Sequence, residues 1–239
     1  MKRRKIISCA ACLTGLAIII YAGIGMFNVL SEEHAACGEY AKLREIAFEV
    51  TSTDYDADAL AVINEESLTR LYELNSAFVG WIEIQGTDVN YPVVKGRDNS
   101  FYLRRTFLGE PNRSGSIFMD FRSESDLSTP LTILYGHNMR NGSMFSTLTR
   151  FTSQTFLESN TEIRIFTSEA DIVYYDIIKA WSTDVSDEVY SLNFDNVASV
   201  QGFFENYSSE HFLVLSTCMR GANRDDRFIV AAARRALAD

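Results

Sequence analysis

The chain has 239 residues, 46% of them hydrophobic, enough to bury a full core as one domain. Its formal charge is −10, and because Lys2, Arg3, Arg4 and Lys5 contribute +4, the remainder carries −14. So acidic a body argues against a phosphate-backbone ligand, and no nucleic-acid partner is expected.

The first element is apolar. From Ile6 to Phe27 the sequence "IISCAACLTGLAIIIYAGIGMF" runs for 22 residues without a charge, which exceeds the ~18 that mark a membrane-spanning helix. Residues 1–5 are expected to be a cytoplasmic basic N-terminus and residues 6–27 a single-pass transmembrane signal anchor. The positive-inside bias then places everything after it outside the cytoplasm. The alternative is a cleaved signal peptide, whose apolar region is usually about 7–15 residues long. Cys9 and Cys12 form a C-x-x-C inside this segment with no second ligand pair, so they read as small lipid-facing residues and not as a metal or redox site. Cys37, in "HAACGEY", is either a free thiol or a partner for a second chain.

Residues 28–78 are expected to hold juxtamembrane and N-terminal helices. Residues 32–50 and about 60–78 look helical, the second with Leu60, Ile63, Leu68, Leu71 and Phe78 near a three-to-four spacing. The polar "TSTDYDAD" separates them, and they form either a stalk or a cap. From Val79 the pattern changes to short β-rich runs: "VGWIEI", "VNYPVV", "GSIFMDF", "LTILYG", "TEIRIFT", "DIVYYDIIKAW", "HFLVLS" and "RFIVAAA". Eight runs with Gly, Asn, Asp and Pro between them suggest a sandwich or a closed barrel. Residues 79–239 are thus read as one β domain. A helix-like insert at about 195–208 sits in the long connection between Trp181 and His211, and connections of that length are usually functional or disordered.

Chemistry concentrates at strand ends. Cys218 ends the run "FLVLSTC", and Arg227 starts the next run nine residues later. A nucleophilic cysteine needs its thiolate stabilised, most often by histidine. His34 is beside the apolar helix. His211 lies seven positions before Cys218 on the same strand, roughly 20 Å away at ~3.3 Å per residue. His137 ends "PLTILYGH" before an Asn141-Gly142 turn, a placement that matches that of Cys218. Arg227 carries a permanent charge that can hold a thiolate, a carbonyl or an oxyanion. The bland readings are a buried structural cysteine, a structural histidine and a surface arginine paired with Asp225 or Asp226.

"LSTC" with an arginine nine positions on, downstream of "YGHNM", resembles the sortases, membrane-anchored cysteine transpeptidases of Gram-positive bacteria. "NYPVVKGRDNSFYLRR", "GSIFMDFR" and "YGHNMRNGSMF" resemble class B in particular. The likeness covers roughly Leu68 to Ala233. One position departs from it: Val214 stands where the family's Thr-Leu-x-Thr-Cys pattern has its first threonine. The resemblance implies a mostly β fold, an eight-stranded sortase-type barrel with N-terminal helices and a helix in a long inter-strand loop, preceded by one transmembrane helix. It implies Cys218 as nucleophile, His137 as general acid/base and Arg227 as stabiliser of substrate and oxyanion. Asn99, Leu103, Ser216 and Thr217 would line the sorting-signal groove. The implied partners are surface proteins with a C-terminal sorting signal, a peptidoglycan precursor amine and the membrane, and no cofactor or metal is implied. A pilin-polymerising sortase, a secreted cysteine peptidase and a non-enzymatic surface binding module remain as alternatives.

Overall fold

The computed structural model describes residues 2–48, 63–205, 207–219 and 223–236, with side chains from residue 13 onward. The "TSTDYDAD" break and Leu60 lie outside the described residues.

Helix α1, Lys2–Ala47, is continuous over 46 residues, so the apolar segment and the helix expected at 32–50 are one element. Ser31 to His34 change the surface from apolar to polar, yet all are compatible with a helix, and polarity alone does not break one. The two ends of α1 differ in environment. Leu16, Ile19, Tyr21, Phe27 and Leu30 are exposed, whereas Ala36, Tyr40, Leu43 and Ala47 recur every three or four residues and are buried. The Tyr40 hydroxyl donates to the Gly115 carbonyl at 2.7 Å, and Asn112 Nδ2 donates to the Glu32 carbonyl at 2.8 Å. The last three turns of α1 are therefore packed against the β domain. α1 is also long and apolar enough to cross a membrane, with a mean hydropathy of 2.0 over a stretch that buries nothing.

Helix α2, Glu65–Leu74, is shorter than the 60–78 expected. Asn64 caps it, its side chain accepting from the Ser67 N–H at 2.8 Å, and Glu65 and Glu66 favour the N-terminal end of the dipole. Asn75 stops it. That side chain donates to the Phe107 carbonyl at 2.6 Å and accepts from the Ala77 N–H at 2.9 Å, which turns the chain out of the helix into the first strand.

All eight β-rich runs are strands: β1 Phe78–Ile84, β2 Asn90–Lys95, β3 Ile117–Met119, β4 Leu131–Tyr135, β5 Glu162–Thr167, β6 Ile172–Asp184, β7 Phe212–Cys218 and β8 Asp226–Arg234. They close into a barrel in the order β1-β2-β3-β4-β7-β8-β6-β5. Closure leaves no sheet edge to aggregate. The pairs β2–β3 and β4–β7 are parallel and the others antiparallel. Pro92, which has no N–H, sits where β2 pairs with β1 but before its pairing with β3 starts at Val93. Two short helices, α3 (Gln154–Ser159) and α4 (Val197–Phe203), lie in connections, α4 within the insert expected at 195–208.

Alternate residues of β7 and β8 pack on two different cores. Leu213, Leu215, Phe228 and Val230 join the barrel interior with Ile82, Ile163 and Ile165. Phe212, Val214, Ile229 and Ala231 face outward under a cover from the β6–β7 connection, namely Val189, Phe194, Val200 and Phe204. Burial on both faces explains why "FLVL" reads as a continuous apolar run and not as an alternating one. It also means that the β6–β7 connection is fastened over the outer face of β7.

Candidate active site

Strand parity sets the site. Residues two apart point the same way, so Ser216 and Cys218 share the outer face with Phe212 and Val214. In the β7–β8 pairing Cys218 stands opposite Arg227, which shares its face with Ile229. The parallel neighbour β4 aligns Tyr135 with Ser216, and the Gly136 N–H continues the ladder to the Ser216 carbonyl at 3.2 Å. His137 therefore leaves β4 beside the end of β7. Asn138 Nδ2 donates to the Cys218 carbonyl at 2.9 Å and Thr217 Oγ1 donates to the Gly136 carbonyl at 2.8 Å, which fastens the two strand ends together.

These ends open into a cleft of about 310 Å3 that is lined by Asn99, Leu103, His137, Ser216, Thr217, Cys218 and Arg227, the residues to which the resemblance assigns roles. Their surroundings differ. Cys218 is half-buried. His137 Nε2 lies 2.7 Å from the Leu103 carbonyl. Burial pushes the His137 imidazole below its ordinary value, the Leu103 carbonyl works in the opposite direction, and nearby Arg104 adds to the depression. The ring is therefore neutral at pH 7. Arg227 makes no ion pair with Asp225 or Asp226 among the described residues. Its Nη1 donates instead to the carbonyls of Arg224 at 2.7 Å and Asp226 at 3.0 Å, which leaves other donors of the guanidinium available. The two other histidines stand apart: His34 is exposed on α1, and His211 precedes β7 at the end opposite Cys218, its Nδ1 3.3 Å from the Thr129 carbonyl.

The cleft also contains Tyr190 and Val185 from the β6–β7 connection, and Phe118, Tyr135 and Gly136. The Tyr190 hydroxyl is 2.7 Å from Ser216 Oγ, so the connection forms one wall of the cleft. Behind it lies an ion pair that the sequence reading missed. Asp120, fully buried, accepts from Arg122 Nε at 2.9 Å and Nη2 at 2.8 Å, from Asn99 Nδ2 at 3.0 Å and from the Tyr135 hydroxyl at 2.9 Å. Burial works to raise the Asp120 carboxyl, but the Arg122 hydrogen bonds and that of Tyr135 outweigh it and hold it below the usual range. Arg122 Nη1 also donates to the Tyr190 carbonyl at 3.0 Å, and the guanidinium lies 4.0 Å from the Phe194 ring centre. One buried carboxylate thus ties Asn99, β4 and the β6–β7 wall together. Its only sequence signal is the Asp-x-Arg spacing in "MDFR", which is indistinguishable from a solvated pair.

Arg122→Ala is expected to destabilise the fold by about 3 kcal/mol, the lower end for breaking a buried pair because the arginine side chain keeps 35% exposure. Denaturant unfolding measures this, and a loss below about 1 kcal/mol would mean that Asn99 and Tyr135 satisfy Asp120 by themselves. A second expectation concerns Gly115, whose φ is +58 and whose added Cβ would lie 2.6 Å from the Leu103 carbonyl and 2.9 Å from that of Tyr102. Gly115→Ala combines a left-handed residue, costing roughly 1–2 kcal/mol, with displacement of the backbone that carries the His137 acceptor. It should lower both the unfolding midpoint and the activity, and a variant with an unchanged midpoint would contradict this.

The comparisons with known proteins agree with this fold. The sortase domain family matches residues 82–235. Sortase B of Staphylococcus aureus is 27% identical over 98% of both chains, and sortase B of Listeria monocytogenes is 30% identical over 64% of this chain and 67% of its own. Among solved structures, a Staphylococcus aureus sortase B–substrate complex superposes with a TM-score of 0.72 at 27% identity, covering 87% of this chain and all of that one. Sortase B from Bacillus anthracis superposes with a TM-score of 0.70 at 26% identity over 86% of this chain and 99% of that one. The chain belongs to the sortase family of transpeptidases, in class B.

Proposed function

We propose that this transpeptidase cleaves a C-terminal sorting signal after a threonine through a thioester on Cys218, and transfers the new acyl end to a peptidoglycan amine. The observation that carries the reading is the convergence of Cys218, His137 and Arg227 on one cleft from three strand ends that share one outward face. The Cys218 thiolate attacks the scissile carbonyl, and Arg227 donors with backbone N–H groups stabilise the oxyanion. His137 takes the Cys218 thiol proton as the sulfur attacks, passes it to the departing amine, and later takes the proton of the incoming one. Its neutral ring at rest suits the acceptor role. Asn99, Leu103, Ser216 and Thr217 bind the extended signal, with the β6–β7 connection as the facing wall.

The exposed apolar half of α1 acts as a membrane anchor in this reading, with the catalytic domain of residues 79–239 outside the cytoplasm. An anchored enzyme, an acceptor on a lipid carrier and a substrate held by its own apolar tail share one surface, which raises their effective concentrations. Incubation with fluorescent sorting peptides and assorted amines, followed by mass analysis, tests the reaction. Joined peptide–amine products are expected. Hydrolysed peptide alone, even at high amine, would make the protein a peptidase.

A further inference from the structure

A second cavity, of about 430 Å3, begins one residue from both proposed catalytic groups. Asn138, next to His137, and Met219, next to Cys218, line it. Neighbouring residues of a strand face opposite ways, and the Met219 N–H stays in the ladder, donating to the Asp226 carbonyl at 3.0 Å. The Cys218 side chain thus turns to the sorting-signal cleft while that of Met219 turns to the second cavity. An acyl group on the sulfur would have this cavity on the side away from the signal's binding wall.

The chemistry of its walls is one-sided. Among the described residues no carboxylate lines it, although the chain as a whole is strongly acidic, while Arg140 and Arg150 do. Arg150 is held in place, donating to the Gly86 carbonyl at 2.7 Å with its guanidinium 4.2 Å from the Phe156 ring centre. Arg140 is exposed and makes no ion pair or hydrogen bond among the described residues. The Ser146 and Thr149 hydroxyls are already used, donating to the carbonyls of Gly142 and Ser146. Thr147 Oγ1 is buried with no partner. A guanidinium and a hydroxyl without partners among the described residues, in a cavity whose described walls carry no acid, match an anion.

We infer that this cavity receives the anionic group, carboxylate or phosphate, of the amine-bearing acceptor, with Arg140 as its ion partner and Thr147 as a hydroxyl donor. The inference rests on the transpeptidase reading. In the step it serves, the amine nitrogen bonds to the thioester carbonyl carbon, the C–S bond breaks, Cys218 leaves as thiolate and His137 takes the amine proton. Arg140 and Thr147 position the acceptor and touch no reacting atom.

Calorimetric titration of the full chain in detergent with triglycine, triglycine amide and inorganic pyrophosphate tests it, in the parent and in Arg140→Ala and Thr147→Val. At least one anion is expected to bind the parent and to lose about tenfold in affinity in Arg140→Ala, with Arg140→Lys recovering part of the loss. Dependence of triglycine but not its amide on Arg140 identifies the carboxylate, and dependence of pyrophosphate identifies the phosphate. In transpeptidation the same variant should raise the KM for the matching acceptor about tenfold with kcat nearly held. Equal binding by parent and Arg140→Ala, or no binding of either anion, overturns the site. Arg140-dependent binding without any joined product would instead sink the transpeptidase reading and leave the anion site standing.

Discussion

Cys218→Ala is expected to remove turnover entirely, with no detectable acyl-enzyme by mass analysis and an unfolding midpoint close to that of the parent. The substitution exchanges a thiol for a hydrogen at a half-buried position, so little packing volume is lost. The fastenings of the strand end are retained because they use backbone: the Cys218 carbonyl accepts from Asn138, and the pairing with Arg227 needs no side chain. What disappears is the proposed nucleophile, for which no other described cysteine can substitute, since Cys37 is exposed on α1. Retained cleavage of a sorting peptide in this variant would place the chemistry elsewhere, and a lowered midpoint with retained activity would make Cys218 structural.

His137→Ala is expected to lower kcat/KM by about 10²–10⁴, the range for a positioned acid/base. Arg227→Lys, which keeps the charge but loses the planar fork, should retain a small activity. Removal of one oxyanion donor costs about 10²–10³, so the two magnitudes overlap and the pH profile decides. In the parent, burial sets the His137 limb below its ordinary pKa of about 6.5. That limb should vanish in His137→Ala and persist in Arg227→Lys. The same depression has a stability signature. The unfolded chain takes up this proton first as pH falls, so stability should decrease below about pH 6.5 and level off beneath the folded pKa. His137→Ala should remove that slope. A variant that keeps both limbs of the bell, while Arg227→Lys flattens it, would make His137 only a neighbour of the thiol.

The eight strands were legible because each is a short β-rich run bounded by turn residues, and the placement of Cys218, His137 and Arg227 at strand ends followed directly. The pairing order was not legible, because nothing local says that β4 and β7 are neighbours. That the segment 6–27 and the helix beginning at 32 run on as one element was equally hidden: Ser31 to His34 record a change of solvent, and backbone conformation is indifferent to it. Asn75 had no periodic signature either, and it ends α2 through contacts with a loop thirty residues away. Of the residues that line the cleft, the strand-end groups Cys218, His137 and Arg227 were singled out, whereas Phe118 and Tyr135 on strands and Val185 and Tyr190 of the β6–β7 connection were missed. Tyr190 and Val185 gain their position from Phe194, Val200 and Phe204 packing on the outer face of β7, a tertiary fact with no counterpart in spacing. Asp120 and Arg122 look like any surface pair until burial is known.

The parallel pairing of β4 with β7 has a consequence for folding. It joins segments about 80 residues apart in the chain, as the Asn138–Cys218 bond shows. Such pairings carry a large loop-closure cost before any contact rewards them, and sheets built on them form slowly. The thiol and the imidazole therefore meet only in a late, cooperative closure, after β1 with β2, β5 with β6 and β7 with β8 have had time to form their more local antiparallel contacts. A partly folded chain carries an isolated cysteine without its acid/base partner. Reactivity toward a sorting-peptide analogue should accordingly rise in step with the slowest refolding phase, so that the enzyme reports its own completion.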